Sequence, residues 1–293
     1  MDFKEFYFKH YKLFILVPVL MLLISVFIIY STYSEIGDIV NKDISLKGGV
    51  SLTIISDKDI TGLEEHLTEK FNEAFAIRKL GEFGSDNQIG FVVEASDVDS
   101  DEVINAIEER LQIELSNNNL SVEETGSTLG EGFYRQMLKA ILFAFLFMAI
   151  VVFITFRNVI PSLAVMMSGV FDLAATIAVL DLIGLKISTA GVAALLLILG
   201  YSIDTDIVLT TRTLKRKEGE VNARIINAFK TGLTMAATTF IALLIGYIIT
   251  NSYVVKEMFL IIMIGLVFDI IITWIFNAGI LKWYLEKKGD SNA

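Results

Sequence analysis

Long apolar runs alternate with polar stretches along this chain, and run length sets the first expectation. An uninterrupted apolar stretch of about 18 residues or more reads as a membrane-spanning helix. Six such stretches occur: Leu13 to Tyr30, Leu138 to Phe156, Ser162 to Ile183, Ser188 to Thr211, Gly232 to Ile249 and Met258 to Leu281. The first stands alone and the other five follow one another closely. Between them, residues 32–137 are polar and long enough for a domain of the usual size, about 100 residues.

Within residues 32–137 the period changes. Val50 to Ile55 alternates as a strand and Ile60 to Phe71 has helical spacing. Phe75 to Phe83 and Ile89 to Ala95 read as strands around a turn at Gly84-Ser85-Asp86-Asn87. Val98 to Leu115 is helical again, and Leu120 to Glu124 is a short strand. The order β-α-β-β-α-β predicts an α+β, ferredoxin-like split unit with two helices on one antiparallel sheet. The chain therefore divides into residues 1–31 (N-terminus and first span), 32–137 (the ferredoxin-like domain), 138–285 (an α-helical bundle of five spans) and 286–293 (a tail).

Charge orients this arrangement. Lys4, Lys9, Lys12, Arg157, Arg212, Lys215, Arg216, Lys217, Arg224, Lys230, Lys282, Lys287 and Lys288 fall on one side of the membrane, against Lys186 and Lys256 in the opposite short loops. Both termini are expected in the cytoplasm and residues 32–137 outside the cytoplasmic membrane. The hydrophobic fraction of 54% and mean hydropathy of +0.62 suit a multi-pass protein in contact with lipid. The net charge of −10 comes mostly from the outer domain, and the basic residues follow topology, so nucleic-acid binding finds no support. Tyr30-Ser31-Thr32-Tyr33 is not a small-residue cleavage site, so the first span is expected to stay as an anchor. The chain has no cysteine, which excludes disulfides and thiolate chemistry. It also has no phosphate-cradling Gly-x-x-x-x-Gly-Lys loop, so energy is expected from an ion gradient or a partner.

Candidate chemistry lies inside the membrane. Gly200-Tyr201-Ser202-Ile203-Asp204-Thr205-Asp206 places two acids in an apolar run that ends at Arg212, and Asp172 and Asp269 lie in the third and sixth spans. An ionised aspartate at a helix centre costs about 2.5 to 3.5 kcal/mol to insert, so these acids face protein, water or a partner. Desolvation brings such carboxyls into the range where they gain and lose protons, and a proton relay is one use for them. A fixed Asp-Arg pair that only locks helices together is another. Arg212 is turned about 80° from Asp204 on a 3.6-residue period. Small residues around Gly191 and Gly200 in the fourth span and Gly232 in the fifth allow close helix approach, which predicts these two spans at the centre and the sixth facing lipid except at Asp269.

Elsewhere the bland readings hold. Asp97, Asp99, Asp101 and Glu102 lack the spacing of a calcium loop and read as an N-capping turn. His66 with Glu65 and Glu69 reads as a surface helix, and no metal or other cofactor is expected. Asn119-Leu120-Ser121 is a glycosylation sequon on the outer side.

These residues carry a resemblance that spans nearly the whole chain. One span, an outer domain opening with a Lys-Gly-Gly element (Leu46-Lys47-Gly48-Gly49), five further spans, a Gly-Tyr-Ser-Ile start to the fourth and an arginine at its cytoplasmic exit together resemble the SecF family. Phe171-Asp172 stands where that family often has His-Asp. Asp204-Thr205-Asp206 replaces the bacterial Asn-Asp-Thr and looks like archaeal members, and Asp269 falls where bacterial relatives tend to have a small residue. The resemblance implies half of an RND-type transporter, completed to twelve spans by SecD, with a SecYE-type translocon and exported polypeptides as partners. It implies no enzymatic activity of the chain itself. It also implies Asp204 and Asp206 as protonatable groups, Arg212 as the charge that modulates them and Asp172 as a polar neighbour. The coupling ion is left open, since oxygen ligands such as Asp204, Ser202 and Thr205 suit a proton or sodium. Two other readings are a stand-alone RND-like exporter of lipid or small molecules and a non-transducing translocase scaffold. An intramembrane aspartyl protease needs Gly-x-Gly-Asp, and Ile203 and Phe171 occupy the positions before Asp204 and Asp172.

Overall fold

The computed structural model describes residues 3–81, 88–96, 98–116, 118–215, 219–250 and 252–289. The expected turn at Gly84-Ser85-Asp86-Asn87, the end of the expected strand at Phe83, and Asp97, Arg216 and Lys217 lie outside these residues. The chain forms two compact units, residues 42–138 and residues 1–41 with 139–293. In order, the elements are α1 (Phe3–Phe14), α2 (Leu16–Ile36), α3 (Ile44–Lys47), β1 (Gly49–Ile54), α4 (Leu63–Phe71), β2 (Phe75–Gly81), β3 (Gln88–Ala95), α5 (Ser100–Leu111) and β4 (Leu120–Thr125). They continue with α6 (Ser127–Phe156), α7 (Val159–Leu182), α8 (Thr189–Leu214), α9 (Val221–Ile249) and α10 (Tyr253–Ile271), then a π-helical turn (Ile272–Asn277) and α11 (Ala278–Lys288).

In residues 42–138, period-2 alternation builds the sheet. Val50, Leu52 and Ile54 of β1 are buried while the residues between them are only half-buried. Their partners Ala95, Val93 and Phe91 on β3 face the same way, because the register pairs them directly. The strand order is β2-β3-β1-β4, with every neighbouring pair antiparallel, which is the ferredoxin-like split unit. Leu63 and Leu67 of α4 and Val103, Ala106 and Ile107 of α5 close over this face. Asp99 starts α5 by accepting the backbone N–H groups of Asp101 (3.0 Å) and Glu102 (3.2 Å), so the acidic turn is a helix cap. The Asn119 carboxamide is engaged in both directions, donating to Glu114 O (3.0 Å) and accepting from Ser116 N (2.7 Å).

Glu94 of β3 is buried and ion-paired with Arg78 of β2. Asp43, which caps α3 through Ile44 N (2.6 Å), stands beside it. Burial, with the nearby Glu94 charge adding to it, pushes the Asp43 carboxyl up to about 6. A carboxyl raised on folding stabilises the domain below its unfolded value and loses that contribution as pH rises through its folded value. Stability of this unit should therefore fall by about 2 kcal/mol between about pH 4 and 6. Asp43→Asn keeps the cap acceptor and should flatten that slope. Hydrogen exchange of β1 and β3, corrected for intrinsic pH dependence, measures it, and an unchanged slope in the variant excludes Asp43 as the source.

Among the described residues six helical stretches are long and apolar enough to cross a membrane: Phe6–Ile36, Gly132–Phe156, Val159–Leu182, Thr189–Leu214, Val221–Ile249 and Tyr253–Lys288. Each contains one of the six expected spans, Ser188 and Ile183 excepted at two ends, where they act as N-cap and C-cap. The expected centre is corrected. Buried residues make up 61% of the apolar window in the third span, 50% in the fourth and 56% in the sixth, against 11% in the fifth. The core is thus α7, α8 and α10 with the π turn. Of the small residues of α9, Gly232 is pressed against the Trp274 ring and Ala236 is buried, while Thr234, Ala237 and Thr238 point outward. Small size permits close approach but does not say which face is used. The sixth span buries Ile261, Ile262, Leu266 and Ile272 instead.

Candidate functional site

The site begins with the start of α8. Ser188 caps it by accepting Gly191 N–H (3.1 Å), and Glu257 of α10 accepts Ser188 N–H (2.9 Å). A Cβ at Gly191 would fall on the Glu257 carboxylate and the Ile187 and Ile261 side chains, so this glycine sets the α8–α10 approach. Helical period then separates two faces. Ser202, Thr205, Asp206, Leu209 and Thr213 are buried, while Ala193, Leu197, Gly200 and Asp204 form an exposed stripe. Within this chain Gly200 packs against nothing: the space around its Cβ position is open to 4 Å.

Asp206 therefore enters the core and Asp204 does not. Three carboxyls meet among α7, α8 and the sixth span: Asp172, Asp206 and Asp269 are each 0% exposed. Ser202 Oγ donates to Asp172 Oδ2. Thr273 Oγ1 lies 2.9 Å from Asp206 Oδ1 and 3.0 Å from Asp269 Oδ1, and Asn277 Nδ2 donates to Asp206 Oδ1 at 2.7 Å. The Ser202 and Thr205 hydroxyls also stand against Asp269. Asp172 Oδ1, Asp206 Oδ2 and Asp269 Oδ2 are buried with no hydrogen-bond partner among the described residues.

Among the described residues no cation pairs with any of the three acids. Arg212 turns to α9 instead, donating to Asn227 O (2.9 Å) and Thr231 Oγ1 (2.7 Å) and tying α8 to α9. Of the residues singled out from the sequence, Asp172 and Asp206 are brought into one cluster. Asp204 and Arg212 stay outside it.

Thr273 and Asn277 were not anticipated from the sequence, and Asp269 had no assigned role there. A signal does exist. Asp269, Thr273 and Asn277 are spaced four and four on an otherwise apolar helix, so a polar stripe runs along one face. The π turn lies across it, and its wider i→i+5 pitch keeps all three side chains turned toward Asp206.

In residues 42–138, Lys47 is exposed at the end of α3, and Gly48 (φ 88°) and Gly49 (φ 132°) carry the chain into β1. A Cβ on Gly49 would fall on Ala95 O, so both its conformation and the closeness of β3 require glycine. The element is thus a backbone junction in this unit.

Residues 106–287 match the family described as protein export membrane protein SecD/SecF, C-terminal. The chain is 36% identical over 287 residues to the protein-export membrane protein SecF of Methanocaldococcus jannaschii, covering 95% of this chain and 97% of that one. It is 34% identical to the SecF of Pyrococcus furiosus, over 94% and 92% of the two chains. Its fold is similar to the crystal structure of SecDF, a translocon-associated membrane protein from Thermus thermophilus, with a TM-score of 0.76 at 20% identity, covering 97% of this chain. It spans 38% of the length of that longer chain.

Proposed function

Because the chain belongs to the SecD/SecF family of protein-export membrane proteins, we propose that it acts in Sec-dependent export as the SecF-type half of an RND-type bundle. A SecD-type chain completes the bundle, and together they use an ion gradient to promote late steps of export at the translocon. Both termini lie in the cytoplasm and residues 32–137 lie outside the cytoplasmic membrane, where they meet emerging polypeptide.

The observation that carries this reading is the division of acids on α8. Asp206 lies at the centre of a buried carboxyl cluster with no counter-cation among the described residues, and Asp204, four residues from Gly200, stands on a face that this chain leaves open. An acid left on an uncovered membrane face is costly unless a second chain covers it. Asp204 is the acid offered to the partner half, Asp206 with Asp172 is the internal store, and Arg212 fixes the cytoplasmic end of α8 against α9.

Gentle solubilisation and pull-down of a tagged form, read by mass spectrometry, tests the assembly. A SecD-like chain and channel subunits should be recovered, whereas recovery of the protein only with itself would move the reading to a stand-alone exporter. With the partner intact, Asp204→Asn and Arg212→Met should each slow export, and normal export by both would remove ion coupling and leave a scaffold.

A further inference from the structure

The Thr273 hydroxyl has one proton and two carboxyl neighbours. It lies 2.9 Å from Asp206 Oδ1 and 3.0 Å from Asp269 Oδ1, all three groups fully buried. A hydroxyl can donate to only one of them, so the other contact is favourable only if that carboxyl carries the proton and donates to Thr273. Asn277 favours one of them, because its amide N–H can only donate, whereas the Ser202 and Thr205 hydroxyls beside Asp269 can accept a proton as well as give one. Its Nδ2 donates to Asp206 Oδ1 at 2.7 Å, so that oxygen already accepts one bond and receives the threonine proton as a second. Asp206 is then the carboxylate and Asp269 the acid. Two ionised carboxyls bridged by one hydroxyl would repel each other in a site with no cation bonded to either.

We propose that Asp269 is a proton-holding residue and Thr273 the hydroxyl that passes its proton to Asp206, so that the sixth span supplies a built-in relay inside this chain. The step balances. Asp269 Oδ1–H gives its proton to Thr273 Oγ1 while Thr273 gives its own to Asp206 Oδ1. Asp269 is left as the carboxylate, Asp206 becomes the acid and the hydroxyl is restored with its direction reversed. Asp172, held by Ser202, is the next acid in line, since the Ser202 hydroxyl also faces Asp269. The charged or titratable groups facing Asp269 are Asp172 from α7 and Tyr201 and Asp206 from α8. The acids are joined through hydroxyls, Ser202 at Asp172 and Thr273 between Asp206 and Asp269, so a proton has a continuous hydrogen-bonded route between them. This deepens the ion-coupled reading of the same cluster and rests on it for its use in export.

Infrared spectroscopy of the full chain in lipid bilayers tests it without any export assay. The carbonyl stretch of protonated carboxylic acid should persist at neutral pH, where exposed Asp and Glu are ionised. Asp269→Asn should remove that component. Thr273→Val, which deletes the acceptor, should shift it, and Thr273→Ser, which restores the hydroxyl, should return it to the wild-type position. An unaltered band in Asp269→Asn overturns the proposal. So does loss of the band on replacing potassium with sodium, which would make the cluster a cation site. If the infrared pattern appears but no ion flux accompanies export, the relay stands and the ion-coupled function fails.

Discussion

Gly265→Leu should prevent the bundle from folding stably. Gly265 lies on α10 directly against Ile198 of α8, and a Cβ there would approach the Ile198 side chain to 2.5–2.8 Å. Ile198 is 0% exposed and cannot swing into solvent. Overpacking of this kind costs about 3 kcal/mol or more, and helices in lipid associate largely through close packing, so the loss falls on the main stabilising contact. Adding Ile198→Ala to the same chain opens room for the leucine and should recover most of the stability. Gly200→Leu, placed in open space, should leave the isolated chain unchanged. Thermal unfolding in detergent, followed by the fluorescence of buried Trp274, reads all three. A Gly265→Leu protein as stable as the parent would mean that α8 and α10 are not in this contact.

Asp206→Asn should separate stability from function. Export should fall about tenfold or more, because the residue that receives the relayed proton can no longer do so. The fold, in contrast, should gain. Asparagine keeps the shape and the hydrogen-bonding positions toward Thr273 and Asn277 while removing a charge from a cluster of three buried acids. Replacing a buried charge by a neutral group of similar volume is often stabilising by about 1 kcal/mol, which corresponds to about 2–4 °C in the unfolding midpoint. Paired export and melting measurements on one preparation check both signs. Loss of export together with loss of stability would assign Asp206 a structural role.

How much of this could be read from residues alone depends on the kind of signal. The ferredoxin-like unit was legible because a half-buried sheet writes its register into the chain, as Val50, Leu52 and Ile54 do against Ala95, Val93 and Phe91. The spans were legible because lipid demands a minimum apolar length. Which spans lie at the centre was not, because the sixth span is apolar on nearly every side and its one polar stripe, Asp269, Thr273 and Asn277, is short and confined to its second half. The small residues of α9 misled because size does not say which face is used: Ala228, Gly232 and Ala236 face the core, while Thr234, Ala237 and Thr238 do not. Asp172 and Asp206 were found as acids in apolar runs. Their meeting with Asp269, Thr273 and Asn277 depends on how α7, α8 and α10 pack, and no single segment contains that.

The π turn at Ile272–Asn277 gives the sixth span an unusual response to insertions and deletions. A π turn holds an extra residue within an otherwise continuous helix. Deleting one residue there, Ile275 for example, would leave a hydrophobic helix still long enough to span the bilayer and would look harmless in a hydropathy profile. Because the π turn already holds the extra residue, the helix beyond would also keep its phase, whereas the same deletion in the regular helix before it, at Leu266 for example, would turn everything beyond by about 100°, taking Asn277 away from Asp206 and Leu281 and Leu285 out of the core they share with Val221 and Ile225. The length of this span is therefore counted against the acid on α8 as well as against the membrane.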